Sequence, residues 1–568
     1  MDRNTAIAGG HPPTRSSIAA VVAQFAKQRP DKPFLIVENG STAQTLTFGA
    51  LYNRAMDFAV AIAARVAPDE TVALMAAGHP GQAPALLGAM MAGAIPYLLP
   101  SIAARQDPAL FWQAQLAVLE RARTRLILTD AATMATLQAN APHLSASVLD
   151  IDVPQAPRAG TALPPARSVA LLQHSSGTTG AKKGVMLTHT QVIDFVNALG
   201  AALGVTQGDI IASWLPLYHD MGLIGCLMLP MLLGLTTVHM DPFSWVNRPA
   251  ALLEMITRHR ATICWQPNFA FQHLMRAAPR HGDWDLSSMR AFIDCSEPCK
   301  PDTLRAFRDR FAGFGLRPEA VQVSYGMAEN VFIATQTVVG KIPRVIETGL
   351  AAFDAGRIEP PGDEPQSLAF VSTGPAIPGT QVRILDDGGK PLAERLVGQI
   401  AVTSPYLFTG YHGSELAQER LIDGWYSSGD FGFMDGGEVF VCGRRDELLI
   451  INGRNIYAND LEFAVNRATA VKPGRCVALG PYNPRTASAS LVVIAETEET
   501  APEARELLAR AVQEVVLGTF GIMANDVKVT DVGWLLKTTS GKIARGGNER
   551  KYLQERQTMT PPVKAARA

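Results

Sequence analysis

Apolar positions along the chain fall into two alternating rhythms. Ile18, Val21, Val22 and Phe25 stand three and four apart and predict a helical face within Ser16 to Gln28. Pro33 to Val37 is a short apolar run that predicts a strand. Leu46-Thr47-Phe48 then opens a predicted helix over Gly49 to Val66, with Leu51, Ala55, Phe58 and Ile62 facing inward. Thr71 to Met75, Ile95 to Leu99 and Arg125 to Thr129 read as strands separated by helices. The uncharged run Ala83 to Pro100 approaches membrane-spanning length, but prolines and glycines divide it into a buried helix and a strand. Strand and helix keep alternating to Val321-Gln322-Val323-Ser324, which predicts an α/β fold with largely parallel sheets.

Beyond Val371 the rhythm changes to short strands and turns, a small β subdomain ending near Val441. Gly443-Arg444-Arg445-Asp446 reads as a charged, flexible junction. From Leu448 to Tyr552 a second βαβ-like pattern is long enough for its own domain. Residues 1–17 read as a flexible N-terminus and 556–568 as a disordered tail.

Composition narrows the function classes. A net charge of −1 gives no reason to expect nucleic acid as a partner, and there is no signal-like apolar segment at the start. Six cysteines in 568 residues suit a reducing compartment, so a cytoplasmic, soluble protein is expected. Cys295 and Cys299 have no second pair at zinc spacing and read as plain thiols.

The densest chemistry lies in Gln173-His174-Ser175-Ser176-Gly177-Thr178-Thr179-Gly180-Ala181-Lys182-Lys183-Gly184, between two apolar runs. Glycines let backbone amides approach an anion, hydroxyls donate to phosphate oxygens, and lysine adds charge. The spacing is not that of a Walker A loop, and composition alone would also allow a surface linker. Other polar clusters end successive predicted strands: Tyr218-His219-Asp220, Asn268-Phe269, Ser296-Glu297-Pro298 and Tyr325-Gly326-Met327-Ala328-Glu329. Open α/β sheets bind ligands at that edge. Taken singly, Glu329 would suit a helix N-terminus, Asp430 an Asx turn, and Lys542 a solvated surface.

Together these motifs, in this order, resemble the acyl-adenylate-forming superfamily from about Ile18 to Tyr552. The matching stretches are Ser175–Gly184, Tyr325–Glu329, Ser428-Gly429-Asp430, Gly443–Asp446 with Asn452-Gly453-Arg454-Asn455, and Gly541-Lys542. The resemblance implies a large N-terminal domain over 18–445, including the β subdomain at about 371–441, and a smaller mobile C-terminal domain over 446–555. It implies ATP and Mg²⁺ as cofactors. Ser175, Ser176, Gly177, Thr178, Thr179, Gly180 and Lys183 would cradle the phosphates. Ser296, Glu297, Pro298, Tyr325, Gly326, Met327 and Ala328 would line the nucleotide site, with Tyr325 stacked on adenine. Asp430 and Arg444 would hold the ribose, and Glu329 with Thr178 the metal. Asp446 would be the hinge, and Lys542 and His219 catalytic residues.

Within that superfamily, Trp214 to Gly225, Pro267 to Ala270 and Gly453 to Tyr457 look like the versions in fatty acyl-AMP ligases. No acid ends the strand before the histidine motif to meet a substrate amine. Trp214, Ile224, Met228, Asn268 and Phe269 are the candidate acyl pocket, although Ile224 and Met228 also suit plain core. The long connection from Glu329 to Val371 resembles an insertion associated in these ligases with restrained domain movement and no CoA ligation. The activity implied is activation of a carboxylic acid to acyl-AMP, then transfer to the phosphopantetheine thiol of an acyl carrier protein. An acyl- or aryl-CoA ligase and a silent binding homologue are the alternatives. Lys182, Leu536 and Ala458 stand where the family usually has proline.

Overall fold

A computed structural model describes residues 17–40, 42–102, 108–152, 167–174, 183–364, 366–414, 420–451, 454–483, 488–537 and 543–559. The central sheet has eight strands, in the order Ile333–Gln336, Val321–Gly326, Ala291–Asp294, Ile263–Gln266, Ile210–Ser213, Thr236–Met240, Pro33–Asn39 and Thr42–Thr47. The inner six run parallel, and the two edge strands are antiparallel. A second, all-parallel sheet orders Ile95–Leu98, Thr71–Met75, Leu126–Thr129 and Ser147–Asp150. Its two inner strands, Thr71–Met75 and Leu126–Thr129, are buried along their whole length because both faces are covered, as parallel sheets require.

Helices Phe48–Ala63 and Gln82–Met91 pack closely within this α/β body. Gly88 permits the approach: a Cβ there would stand 2.6 Å from both the Ala55 carbonyl oxygen and Phe58 Cβ. The first of these helices begins one residue before the predicted Gly49, and Leu46 and Thr47, read as its opening, belong to a strand instead. Thr42–Thr47 is a strand paired with Pro33–Asn39, and the Thr47 hydroxyl caps the helix by accepting from Ala50 N–H.

The β subdomain orders Gln381–Leu385, Gly398–Thr403, Trp425–Asp435 and Leu421–Ile422, with Glu438–Arg444 also paired to Trp425–Asp435. The expected flexible junction is therefore regular: Gly443 and Arg444 finish a strand, and Arg445–Glu447 forms a single 3₁₀ turn. The connection from Glu329 to Val371 is likewise built rather than loose. It holds a hairpin of Val345–Gly349 with Ser367–Val371 and a short helix, Leu350–Asp354.

In the C-terminal region, Val492–Thr497, helix Pro502–Phe520 and Asp526–Asp531 form a βαβ unit, while Cys476–Leu479 joins it antiparallel. Leu461, Val465, Leu491, Val512 and Val516 belong to a core separate from the main one. Among the described residues no helix is long and apolar enough to cross a membrane.

His189, 6% exposed at the start of helix His189–Ala202, accepts Ile18 N–H through Nδ1 at 3.3 Å. Burial lowers its pKa to about 4. Between that value and the unfolded value near 6.5, the unfolded chain binds a proton that the folded chain refuses. Stability therefore falls as pH drops through this window and levels off below it, by roughly 3 kcal/mol for this group. Urea unfolding at a series of pH values should show His189→Gln losing that much less than wild type between pH 7 and pH 4. Parallel pH dependence of the two proteins would rule the assignment out.

Candidate active site

Strand Val321–Gly326 delivers the first group of site residues. A register shift between Tyr325 and Gly326 bends the strand, and a 3₁₀ turn, Ala328–Asn330, follows. Gly326 is required by this bend, since a Cβ would come within 1.8 Å of the Phe332 carbonyl oxygen. Two non-glycine residues beside the site take left-handed backbone angles, Ser296 (φ 72°) and Val331 (φ 64°). Such strain collects where surrounding structure holds functional groups in place.

The Tyr325 hydroxyl donates to Asp430 Oδ2 at 2.6 Å, and Arg444 Nε donates to Asp430 Oδ1 at 3.2 Å. Strands Trp425–Asp435 and Glu438–Arg444 set this geometry by pairing Asp430 with Arg444. Burial, then the Asp430 charge, pushes the Tyr325 phenol well up, so it remains a donor. Asp430 in turn raises the pKa of Arg444. The carboxylate is buried yet keeps unused lone pairs, a suitable acceptor for sugar hydroxyls.

Glu329 is the second focus. Its Oε1 accepts the Tyr411 hydroxyl at 2.6 Å, and the Tyr411 and Tyr426 oxygens are 3.1 Å apart. Lys183 Nζ stands 4.7 Å above the Tyr411 ring. Burial and the nearby Glu329 charge push both tyrosines upward, which keeps them protonated. The Glu329 charge also reaches Arg420, which hydrogen-bonds Tyr426. Tyr411, Tyr426 and Arg420 were not singled out from the sequence. The one signal was aromatic residues flanking Ser428-Gly429-Asp430 and following Gly410.

His219 precedes a π-helix, Met221–Met228, and its Nδ1 lies 2.5 Å from Asp220 Oδ1. The Ser296 hydroxyl is 4.0 Å from the Met221 sulfur, so this segment adjoins the Ser296-Glu297-Pro298 turn. Glu297 accepts the Phe269 N–H at 3.1 Å. Trp214 stacks on Trp245 at 3.7 Å and meets Phe269 edge-on at 6.2 Å. Asn268 donates to buried Asp294 at 2.6 Å. Trp214, Asn268 and Phe269 thus gather around the helix Asn268–Ala277. Ile224 and Met228 are fully buried on the π-helix, whose Gly225 lies against Trp265 and Phe332.

Ser175, Ser176, Gly177, Thr178, Thr179, Gly180 and Lys542 lie outside the described residues, as do Asn452, Gly453 and residues 1–16 and 560–568 of the expected tails; residues 556–559, expected to be disordered, instead finish helix Arg545–Met559, and Ser17 caps the first helix. The flanks of the two loops are described. Strands Val169–His174 and Gly184–Thr188 bracket the first. Lys537 bridges to Ile543 across the second, and the charge of Glu297 reaches Lys537. Asp446 occupies the 3₁₀ turn after Arg444.

Residues 22–412 match the model of the AMP-binding enzyme family, which is more than half of the chain. The chain belongs to the AMP-binding enzymes. Among its relatives in this family is a medium-chain-fatty-acid–[acyl-carrier-protein] ligase of Moorena producens, 30% identical over 77% of this chain and 78% of that one. Another is a long-chain-fatty-acid–AMP ligase of Mycolicibacterium smegmatis, 31% identical over 69% of each chain. A solved structure from work on fatty acyl-adenylate ligases of E. coli and L. pneumophila superposes with a TM-score of 0.88. It is 24% identical and covers 96% of this AMP-binding enzyme and 99% of its own chain. That likeness establishes the shared α/β architecture, with a large N-terminal and a smaller C-terminal domain.

Proposed function

We propose that this enzyme activates a fatty-type carboxylic acid as acyl-AMP, releases pyrophosphate, and passes the acyl group to the phosphopantetheine thiol of an acyl carrier protein. The observation that carries the reading is the pair of anchored carboxylates, Asp430 held by Tyr325 and Arg444, and Glu329 held by Tyr411. In this reading Asp430 accepts the ribose hydroxyls and Glu329 faces the phosphates. The names of the two sequence relatives support the acyl class and the carrier.

Glu329 suits Mg²⁺. Oε1 accepts the Tyr411 hydroxyl, and Tyr426 also lies within hydrogen-bonding reach of the carboxylate, which leaves lone pairs for a cation. No group of three or more metal-binding side chains occurs among the described residues. Mg²⁺ commonly takes one or two protein carboxylates and completes its shell with substrate phosphates and water. When bound, it would offset charge on the phosphates. The protein's own contribution is to hold Glu329 through Tyr411, seat the ribose on Asp430, and bring the Lys542 loop to the reacting carboxylate.

The hairpin after Glu329 supports a carrier protein over CoA as acceptor. Arg454 Nε donates to Asp354 Oδ2 at 3.0 Å and Arg454 Nη1 to the Phe520 carbonyl at 2.6 Å, while Gln366 Nε2 reaches the Gly518 carbonyl at 3.1 Å. The inserted segment thereby grips the C-terminal domain at two points. Breaking two such contacts shifts a two-state equilibrium by on the order of 10²-fold. Asp354→Ala combined with Gln366→Ala is expected to yield acyl-CoA from acyl-AMP and CoA, which wild type does not form appreciably.

Incubating the enzyme with Mg-ATP and a panel of fatty, aryl and amino acids, with mass spectrometry of adenylates, tests the reading. Adding CoA or a phosphopantetheinylated carrier then separates acceptors. Efficient acyl-CoA formation by wild type would overturn the carrier assignment.

A further inference from the structure

The turn Ser296-Glu297-Pro298 runs directly into helix Pro301–Phe311, and Lys300 stands at the junction in extended backbone just before the helix. Leu304, Phe307 and Phe311 fix that helix in the main core. The Lys300 side chain leaves this core and reaches helix Ala458–Ala468 of the C-terminal domain, whose Leu461 and Val465 belong to the separate one. There its ammonium pairs with Asp460 and lies 5.7 Å from the ring centre of Phe463, about one turn along the same helix.

Burial separates this contact from its neighbour. The side chains of Lys300 and Asp460 are only 15% and 11% exposed. Arg467 and Asp302 join the same two helices, but that arginine is 62% exposed, where ion pairs contribute little. A shielded pair gives up hydration on both charges, and apolar side chains of similar volume usually serve stability as well or better. What the charges add over apolar contact is direction, since one register of the two helices pairs them and the others leave both unpaired.

Helix Ala458–Ala468 also holds the end of the loop that carries Lys542. Arg545, three residues beyond Lys542 in sequence, pairs through Nη1 with Glu462 and donates to the Ala478 carbonyl at 2.6 Å. Its Nη2 donates to Asn459 Oδ1 at 3.3 Å. Asn459 in turn donates to Glu447, in the 3₁₀ turn that contains Asp446. Asn459, Asp460 and Glu462 thus tie three parts together: the turn at Asp446, the segment after Pro298, and the base of the lysine loop.

We infer that Lys300 is a positioning residue for adenylate formation: by docking on Asp460 it sets the register in which the C-terminal domain presents its lysine loop to the Ser296-Glu297-Pro298 turn. This rests on the acid-activating reading above and on the part proposed there for Lys542. Repulsion between carboxylate and α-phosphate exists only until the adenylate forms. A fault in register should therefore slow adenylation and spare attack of a thiol on acyl-AMP supplied ready-made.

The test uses the full-length enzyme and reads both steps. Lys300→Met combined with Asp460→Leu replaces the pair by apolar contact and should unfold within a few degrees of wild type. Its kcat for acid-dependent pyrophosphate release should nevertheless fall on the order of 10²-fold, the loss that a displacement of about 1 Å brings, with KM for ATP changed only a few-fold. Transfer from synthetic acyl-AMP to whichever thiol acceptor wild type uses should keep its wild-type rate. Adding Lys542→Ala should lower adenylation little further than Lys542→Ala does alone, because both changes act through one loop. If the double variant does not fold, Asp460→Asn, which keeps an acceptor for Lys300 without the charge, is judged on the same split. Wild-type adenylation by the folded variant, or equal losses in both steps, would overturn the inference and leave the acid-activating reading intact. Failure of wild type to release pyrophosphate with any acid would overturn that reading and this inference with it.

Discussion

Lys542→Ala is expected to lower acyl-adenylate formation by about 10²–10³-fold, the usual loss when one positioned electrostatic contact to a transition state is removed. ATP affinity should change only a few-fold. A carboxylate anion must approach an anionic α-phosphate, and the lysine is proposed to offset that repulsion as the new bond forms. The root of its loop is anchored independently of its charge: Lys537 bridges to Ile543, and Ala544 N–H donates to the Leu536 carbonyl at 2.9 Å. Alanine at 542 should therefore leave the loop base intact. Pyrophosphate release in the presence of acid, beside calorimetric ATP binding, reads the two quantities apart. Near-wild-type adenylation would remove Lys542 from the mechanism.

Glu329→Gln should have a comparable effect through a different route. A glutamine oxygen can still accept the Tyr411 hydroxyl, so the Glu329–Tyr411–Tyr426 contact survives and the fold with it. What is lost is the negative charge offered to a cation. Adenylation should fall by about 10²–10³-fold at fixed Mg²⁺ and recover in part as Mg²⁺ is raised, whereas simple misfolding would give no such recovery. An unchanged Mg²⁺ requirement would show that this carboxylate is not the ligand.

Much of the α/β body was legible because its strands are short apolar runs between helices of regular period, as in Thr71–Met75 and Gln82–Met91. Asp430 and Glu329 were legible because each sits in a compact motif. Tyr411 and Tyr426 were not. Tyr411 reaches Glu329 from a two-residue strand whose partner, Gly184–Thr188, is distant in sequence, so its role depends on pairing that no local pattern encodes. The π-helix Met221–Met228 was equally hidden, since every residue in it is buried and an apolar run without a polar face has no period to read. Thr42–Thr47 is mostly exposed and polar, so it carried no strand signal, and its last two residues were read as the opening of a helix. The Val345–Gly349 hairpin was read as a connection because glycine and proline crowd the segment between its strands.

Val185 and Met186, on the strand leaving the phosphate loop, register with Tyr411 and Gly410, and His412 N–H donates to the Gly184 carbonyl at 2.8 Å. The backbone that carries the loop's exit is thus continuous, through one tyrosine, with the carboxylate proposed for the metal. In the proposed reading, grip on the triphosphate and the metal requirement are geared together. A substitution anywhere along that short ladder should move both at once.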